Sequence, residues 1–284
     1  MREWSLDSDH VRAAFARAAT HYDDTAVLAR RVADELLSRL DVVILTPRRI
    51  IDLGCGTGYC ARELEVRYRR AEVIGIDQAM PMVRTAAKAR RWRSRKHYLA
   101  ASAEHVPLAD QSVELVVSNL MLAWTDRATV FREIHRILTP EGLLTFSTFG
   151  PDTLKEIRQA WETVDSTPHV HPFLDMHDIG DALLESGFAG PVMDVEYITL
   201  TYPGLDALLR DLKGCGWQNV LRGRRATLTG RSRFAAFARA CDAYRAADGR
   251  IPLTFELVYG HAWRAPDDAH RPSEDRKRVT VRFE

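Results

Sequence analysis

Seven residues, Asp52-Leu53-Gly54-Cys55-Gly56-Thr57-Gly58, carry the strongest chemical signal in the chain. They follow the apolar run Ile50-Ile51 and precede a helical pattern over 59–69. Glycines there reach positive backbone dihedrals and let the main chain approach a ligand with no Cβ in the way. The spacing is GxGxG, not the GxGxxG of dinucleotide-binding folds. A second acid, Asp77, closes the next expected strand, where a carboxylate can accept from both hydroxyls of a ribose. Asp52 precedes the loop and can orient a cationic amino group, directly or through water. That pairing suits a positively charged amino-acid sulfonium better than a pyrophosphate. A turn that merely packs strand on helix is the plainer reading of the glycines alone; the two acids in this strand context favour a cofactor. Cys55 reads as a small residue that fits the loop, because no His or Lys accompanies it.

The elements that must hold these residues alternate. Apolar faces at Val11, Phe15 and Ala18, then Val32, Leu36, Leu37 and Leu40, give helical periodicity over 10–40. Strands are expected at 50–53, 72–77, near Tyr98, at 114–118 and at 143–149, with helices at 59–69, 81–93 and 128–138 between them. This rhythm is that of an α/β fold with a doubly wound parallel sheet and right-handed crossovers. After Gly150 it changes: helices at 152–163 and 177–186, a strand at 192–201, helices near 204–213 and 231–246, and an alternating strand at 253–263. The helices between the last two strands read as a cap over the carboxyl edge of the sheet, about 203–250. Residues 1–264 form one domain in this reading, and 265–284 a polar tail.

Composition narrows the partners. Lys plus Arg (40) balance Asp plus Glu (39), so no global field favours nucleic acid or membrane. The four cysteines form no CxxC pair and no zinc spacing. No signal segment and no run of about 20 apolar residues is present, so the expectation is a soluble, cytoplasmic protein.

The glycine loop with Asp52 and Asp77 resembles the first two motifs of Rossmann-like class I methyltransferases, which bind S-adenosylmethionine. Longer stretches are similar to the malonyl-carrier-protein O-methyltransferases of biotin synthesis. These include Phe15-Ala-Arg-Ala-Ala-Thr-His-Tyr-Asp23, Val117-Ser-Asn-Leu-Met-Leu-Ala-Trp124 and Phe146-Ser-Thr-Phe-Gly-Pro-Asp-Thr-Leu-Lys-Glu156. Further on lie Asp175-Met-His-Asp-Ile-Gly180, Leu208-Leu-Arg-Asp-Leu-Lys213 and Tyr259-Gly-His-Ala-Trp263. The likeness runs from about residue 10 to 264. It implies a mostly parallel sheet with an antiparallel last strand, an N-terminal helix and a late helical cap. It also implies methyl transfer from S-adenosylmethionine to the free carboxylate of malonyl-acyl-carrier protein or malonyl-CoA. The cofactor residues it implies are Asp52, Gly54, Cys55, Gly56 and Gly58, Asp77 with Gln78, Ser102 and Ala103 at the adenine, and Asn119 beside the methionine part. Relatives often carry Asp where this chain has Ser102, whose hydroxyl can still meet the adenine amino group.

No general base is expected, since the attacking carboxylate is already ionised near neutral pH. Positioning falls to Tyr22, which would close the methyl pocket, and to Trp124, which would wall the acyl channel. Arg210 and Lys213, one helical turn apart, would face one ligand, with Arg210 reading the carboxylate. Packing roles for Tyr22 and Trp124, and a solvated helix face for the cations, are the plainer alternatives. His169 and His171 are too sparse a set for a metal, and none is expected; His171 is placed along the substrate channel. An acidic carrier protein calls for a basic surface. Arg222, Arg224 and Arg225 are preferred for it over the run from Arg84 to Lys96. Two rivals use the same fold. A quinone methyltransferase would need an activating base. Assembly factors that hydroxylate a protein arginine share Tyr202-Pro203-Gly204 and Trp263, but the 147–156 and 176–180 stretches favour the malonyl family.

Overall fold

The central strands are the ones whose sequence is apolar on both faces. A computed structural model describes residues 5–90, 94–225 and 227–266. Arg91 and Arg93 of the first basic run, and the expected tail from residue 267 onward, lie outside them. The strands are β1 (Arg49–Leu53), β2 (Glu72–Asp77), β3 (Lys96–Ala100), β4 (Val113–Asn119), β5 (Leu138–Phe149), β6 (Phe188–Tyr202) and β7 (Ile251–Arg264). They form a seven-stranded sheet in the order β3-β2-β1-β4-β5-β7-β6. Only β7 runs antiparallel to its neighbours, pairing with β5 on one side and β6 on the other. The α/β class and the antiparallel last strand are as the sequence implies.

The helices are α1 (Ser8–Ala18), α2 (Tyr22–Thr25), α3 (Val27–Ser38), α4 (Tyr59–Arg67), α5 (Met80–Lys88), α6 (Arg127–Ile137), α7 (Lys155–Glu162), α8 (Met176–Glu185), α9 (Leu205–Gly214) and α10 (Arg231–Asp242). Alternation along β1 divides the core into two layers. Ile50 packs with Val32 and Leu36 of α3 and Leu64 of α4, while Ile51 and Leu53 pack with Phe131 and Ile134 of α6. All of these side chains are buried. The chain leaves β1 toward β2 on one side and later returns to β4 on the other. The carboxyl ends of β1 and β4 therefore meet at the switch point, where ligands of open α/β sheets bind.

The stretch 10–40 departs from its continuous periodicity. It breaks at Ala19–Ala26 into three helices, since neither His21 nor Ala26 holds helical dihedrals. Thr25 Oγ1 donates to the Tyr22 carbonyl at 3.2 Å, and Thr57 Oγ1 donates to Asp23 at 2.6 Å. The break lets α1 cross the carboxyl edge of the sheet while α3 stacks on its face.

The end of α9 is seated against these N-terminal helices. A Cβ on Gly214 would stand 2.6 Å from Thr25 Cγ2, and one on Gly216 2.9 Å from the Phe15 ring. Two buried acids fix the turn after β5. Glu256 accepts from the Asp152 N–H at 2.7 Å, and Glu156 accepts from the Thr254 N–H at 3.0 Å. Among the described residues no helix is long and apolar enough to cross a membrane.

Candidate active site

The glycine loop is built by three positive dihedrals: φ is +78° at Gly54, +51° at Gly56 and +83° at Gly58. Only glycine adopts these without strain. The N–H groups of Gly54 and Cys55 donate to the Ile76 carbonyl at 2.8 and 3.0 Å, tying the loop to the end of β2. The Gly56 N–H donates to Asp77 Oδ2 at 3.0 Å, and the Ala79 N–H to Oδ1 at 2.8 Å. Burial pushes the Asp77 carboxyl above its ordinary range, while these two donors pull it back. Each of its oxygens keeps a lone pair for a ribose hydroxyl.

Around this loop lies a cleft lined by Gly54, Gly56, Asp77, Gln78, Ser102 and Ala103. Tyr22, Asn119 and Trp124 complete its wall. A smaller recess shares Tyr22, Gly54, Gly56 and Asn119 with it and adds Asp52, Cys55 and Thr57. One buried acid, Asp77, thus lines the cleft and the other, Asp52, the recess beside it. Asp52 is 1% exposed and accepts from the Ala61 N–H at 2.8 Å. Burial raises it to about 7.

Other expected positions do different work. Gly58 lines neither cleft; a Cβ there would meet the Tyr98 hydroxyl at 2.7 Å, so it seats Tyr98 beneath the loop. The Cys55 sulfur faces Gly75, and burial pushes its thiol well above its usual value. It stays protonated. Asn119 spends its side chain on the fold, with Nδ2 donating to Ala29 at 2.9 Å and Oδ1 accepting from Ser147 at 2.7 Å. Ser118, buried beside it, lines neither cleft. Ser102 Oγ accepts from the Glu104 N–H at 3.2 Å and remains on the cleft wall.

A second cleft, of about 890 Å³, is lined by aromatic rings that include Phe149, Trp161, Phe173 and Phe255. Trp124 and Trp217 line both large clefts, so the two meet at this pair. Trp217, Trp161 and Phe173 were not singled out in the sequence. The only available signal was an aromatic between Gly216 and a polar pair just after the cap helix.

Arg210 and Lys213, expected to face one ligand, border one shallow groove together, but only Lys213 also lines the second cleft. Leu209, Leu212 and Lys213 face the second cleft, whereas Arg210 does not line it. Arg210 is exposed, and its Nε donates to the Asp206 carbonyl at 3.2 Å. One residue is about 100° around a helix, enough to turn Arg210 outward to a shallow groove that Lys213 also borders. Lys213 is itself exposed at the cleft's rim. The preferred basic cluster is partly committed as well. Arg222 Nε donates to the Leu6 carbonyl at 3.1 Å, Arg224 pairs with Asp7 at 3.3 Å, and Arg225 donates to Thr227 Oγ1 at 2.8 Å. Two of the three pin the N-terminal segment.

The histidines separate. His169 pairs with Asp165 at 2.9 Å and stacks on Trp161 with ring centroids 3.7 Å apart. His171 is 6% exposed and lies parallel to Trp124, 6.1 Å away. Neither His171 ring nitrogen, nor Trp124 Nε1, makes a hydrogen bond of ordinary geometry among the described residues, although the Ala123 carbonyl acts weakly on the imidazole. Burial and the nearby Arg127 guanidinium push His171 down to about 4, so it is neutral at physiological pH.

Comparison with known proteins fits this geometry. The methyltransferase domain family matches residues 51–146, from β1 to β5. The malonyl-acyl-carrier protein O-methyltransferase of Gallionella capsiferriformans is 45% identical over 280 residues, covering 95% of this chain and 96% of the relative. That of Laribacter hongkongensis is 45% identical over 278 residues, covering 95% and 93%. Among solved structures, the YcgJ protein from Bacillus subtilis superposes with a TM-score of 0.59 at 12% identity, covering 82% of this chain and 98% of that one. A phosphoethanolamine N-methyltransferase of Haemonchus contortus, solved with S-adenosylhomocysteine, gives 0.51 at 16% identity over 82% of this chain and 52% of that one. The structural likenesses establish the class I methyltransferase fold. With such identity across nearly its whole length, the chain is a methyltransferase that uses S-adenosylmethionine and belongs to the malonyl-acyl-carrier protein O-methyltransferase family.

Proposed function

We propose that the protein methylates the free carboxylate of a malonyl group carried as a thioester on an acyl carrier protein, with malonyl-CoA as the smaller form of the same substrate. The observation that carries this reading is the meeting of the two clefts at Trp124 and Trp217. One cleft suits the methyl donor and the other, aromatic-lined, suits an acyl thioester. S-adenosylmethionine supplies a methyl group on a positively charged sulfur. The malonyl carboxylate is ionised near neutral pH, so the protein need only align it and keep water out. Tyr22, half-buried over the loop and held far from ionisation by desolvation, closes the donor side as a neutral phenol. Arg210 and Lys213, exposed on α9, and the exposed Arg222 and Arg225 are suited to meet an anionic carrier. The methyl ester ends the acyl group in an uncharged cap, which fatty-acid enzymes can extend on the way to biotin.

The test is incubation with methyl-labelled S-adenosylmethionine and malonyl carrier protein. A base-labile labelled methyl ester on the carrier is expected; label on a quinone, or a protein arginine hydroxylated with no label transferred, with none on malonyl thioester, would overturn the assignment.

Asp52 makes donor binding pH-dependent. Its raised value near 7 means that it gains a proton as pH falls below 7 and loses its attraction for the donor's ammonium group. The ammonium in turn favours the ionised form, so binding between pH 6 and 7 releases a proton. Calorimetry in buffers of different ionisation heat should record that release, with affinity falling from pH 8 to pH 6. Asp52→Asn should flatten the slope; an unchanged slope in that variant would remove Asp52 from the donor site.

A further inference from the structure

Three buried polar atoms at the junction of the clefts make no hydrogen bond of ordinary length and angle: Trp124 Nε1 and both ring nitrogens of His171, on which the Ala123 carbonyl acts only as a weak acceptor. Buried polar groups in folded proteins nearly always have partners, and exceptions call for an explanation. These exceptions sit on one pair of rings, inclined by only 15° and fixed from outside. Phe15 packs edge-on to Trp124 at 5.6 Å and Phe173 edge-on to His171 at 5.0 Å. The rings are therefore oriented in advance, at the cost of leaving their nitrogens without an ordinary hydrogen bond.

We infer that Trp124 and His171 form an uncharged two-point dock for the malonyl carboxylate, holding the oxygen that does not attack. The inference rests on the malonyl reading above. Trp124 borders both clefts, which places its indole where the donor side and the acyl side meet. Only the reacting end of the acyl group belongs there. Indole nitrogen is solely a donor, and a neutral imidazole offers one donor, so the pair suits an anionic acceptor. Neutral donors orient a carboxylate without the strong pairing that would blunt its nucleophilicity. Among the described residues that line the second cleft the one Lys or Arg is Lys213, exposed at the rim, and Arg127, near enough to act on His171, lines neither cleft. The inner end is thus left to uncharged donors.

The test uses the full chain with malonyl carrier protein and labelled S-adenosylmethionine. His171→Phe keeps an aromatic ring against Trp124 and removes both nitrogens; His171→Asn restores a donor on a smaller side chain; Trp124→Phe removes the indole N–H. His171→Phe and Trp124→Phe should each lower kcat/KM for malonyl carrier protein about tenfold or more. His171→Asn should recover most of the loss. The donor's Kd in the His171 variants should stay within about twofold of wild type, and Tm should hold or rise, because an unpaired polar group has been removed. Wild-type kcat/KM in both Phe variants would overturn the dock. So would a His171→Asn no better than His171→Phe, or a loss of donor affinity equal to the loss of turnover; both would mean that the ring's shape, not its donor, matters. A wild-type enzyme that leaves malonyl carrier protein unlabelled would instead overturn the malonyl reading, and the dock with it.

Discussion

Gly54→Ala is expected to abolish measurable binding of S-adenosylmethionine and to lower Tm by roughly 5 °C or more. The residue has φ of +78°, where a Cβ costs about 1–2 kcal/mol. The new methyl would also stand 2.3 Å from Met121 Cγ and 2.4 Å from Met121 Cβ. A Cβ cannot swing aside as a side-chain tip can, so the backbone after β4 must shift, carrying Leu120 and Trp124 out of the cleft wall. Gly190→Ala is the control: it has positive φ (+55°) but nothing within 4 Å of the added methyl, so it should cost only strain and leave the Kd alone. Isothermal titration and thermal melts decide the matter; a Gly54→Ala protein whose Kd lies within a few-fold of wild type would mean that the loop does not cradle the donor.

Asp77→Ala should weaken donor binding about 10- to 100-fold, since bonds to a charged acceptor contribute about 1.5–3 kcal/mol. Two effects add here. The ribose loses its acceptor, and the N–H groups of Gly56 and Ala79 lose the carboxylate that positions them. Asp77→Asn keeps one acceptor oxygen and should fall between wild type and Ala. Unchanged calorimetric affinity in a folded Asp77→Ala protein would sink the ribose assignment.

The donor cleft was legible in the sequence because its parts are local. The loop, Asp52 and Asp77 lie within two strand ends, and their spacing encodes positive dihedrals and an acid at a strand terminus. The second cleft was far less legible. Its walls come from Trp124 after β4, Phe149 at the end of β5, His171 and Phe173 in a loop, Trp217 after α9 and Phe255 in β7. No periodicity links residues so distant in the chain. The placing of Arg210 outside the second cleft was hidden for a narrower reason: adjacency on a helix does not say which face the cap turns inward, and the apolar Leu209 and Leu212 set that face with Lys213. The break between α1 and α3 was hidden because its residues, from Ala19 to Ala26, keep a composition compatible with helix. Among the strands, β5 starts at Leu138 rather than 143, directly from the end of α6.

The sheet order has a consequence for the order in which the chain can mature. β6 touches the rest of the sheet only through β7, which is synthesised after it and after both cap helices. Until residues 251–264 leave the ribosome, β6 has no partner and β5 presents an open edge whose latter residues, Leu143, Leu144, Phe146 and Phe149 among them, are later buried. Such edges recruit other chains. A nascent chain paused in the cap would therefore be complete in its donor cleft yet lacking Phe255 on the acyl side, sticky at β5, and dependent on a chaperone or on rapid elongation to escape aggregation.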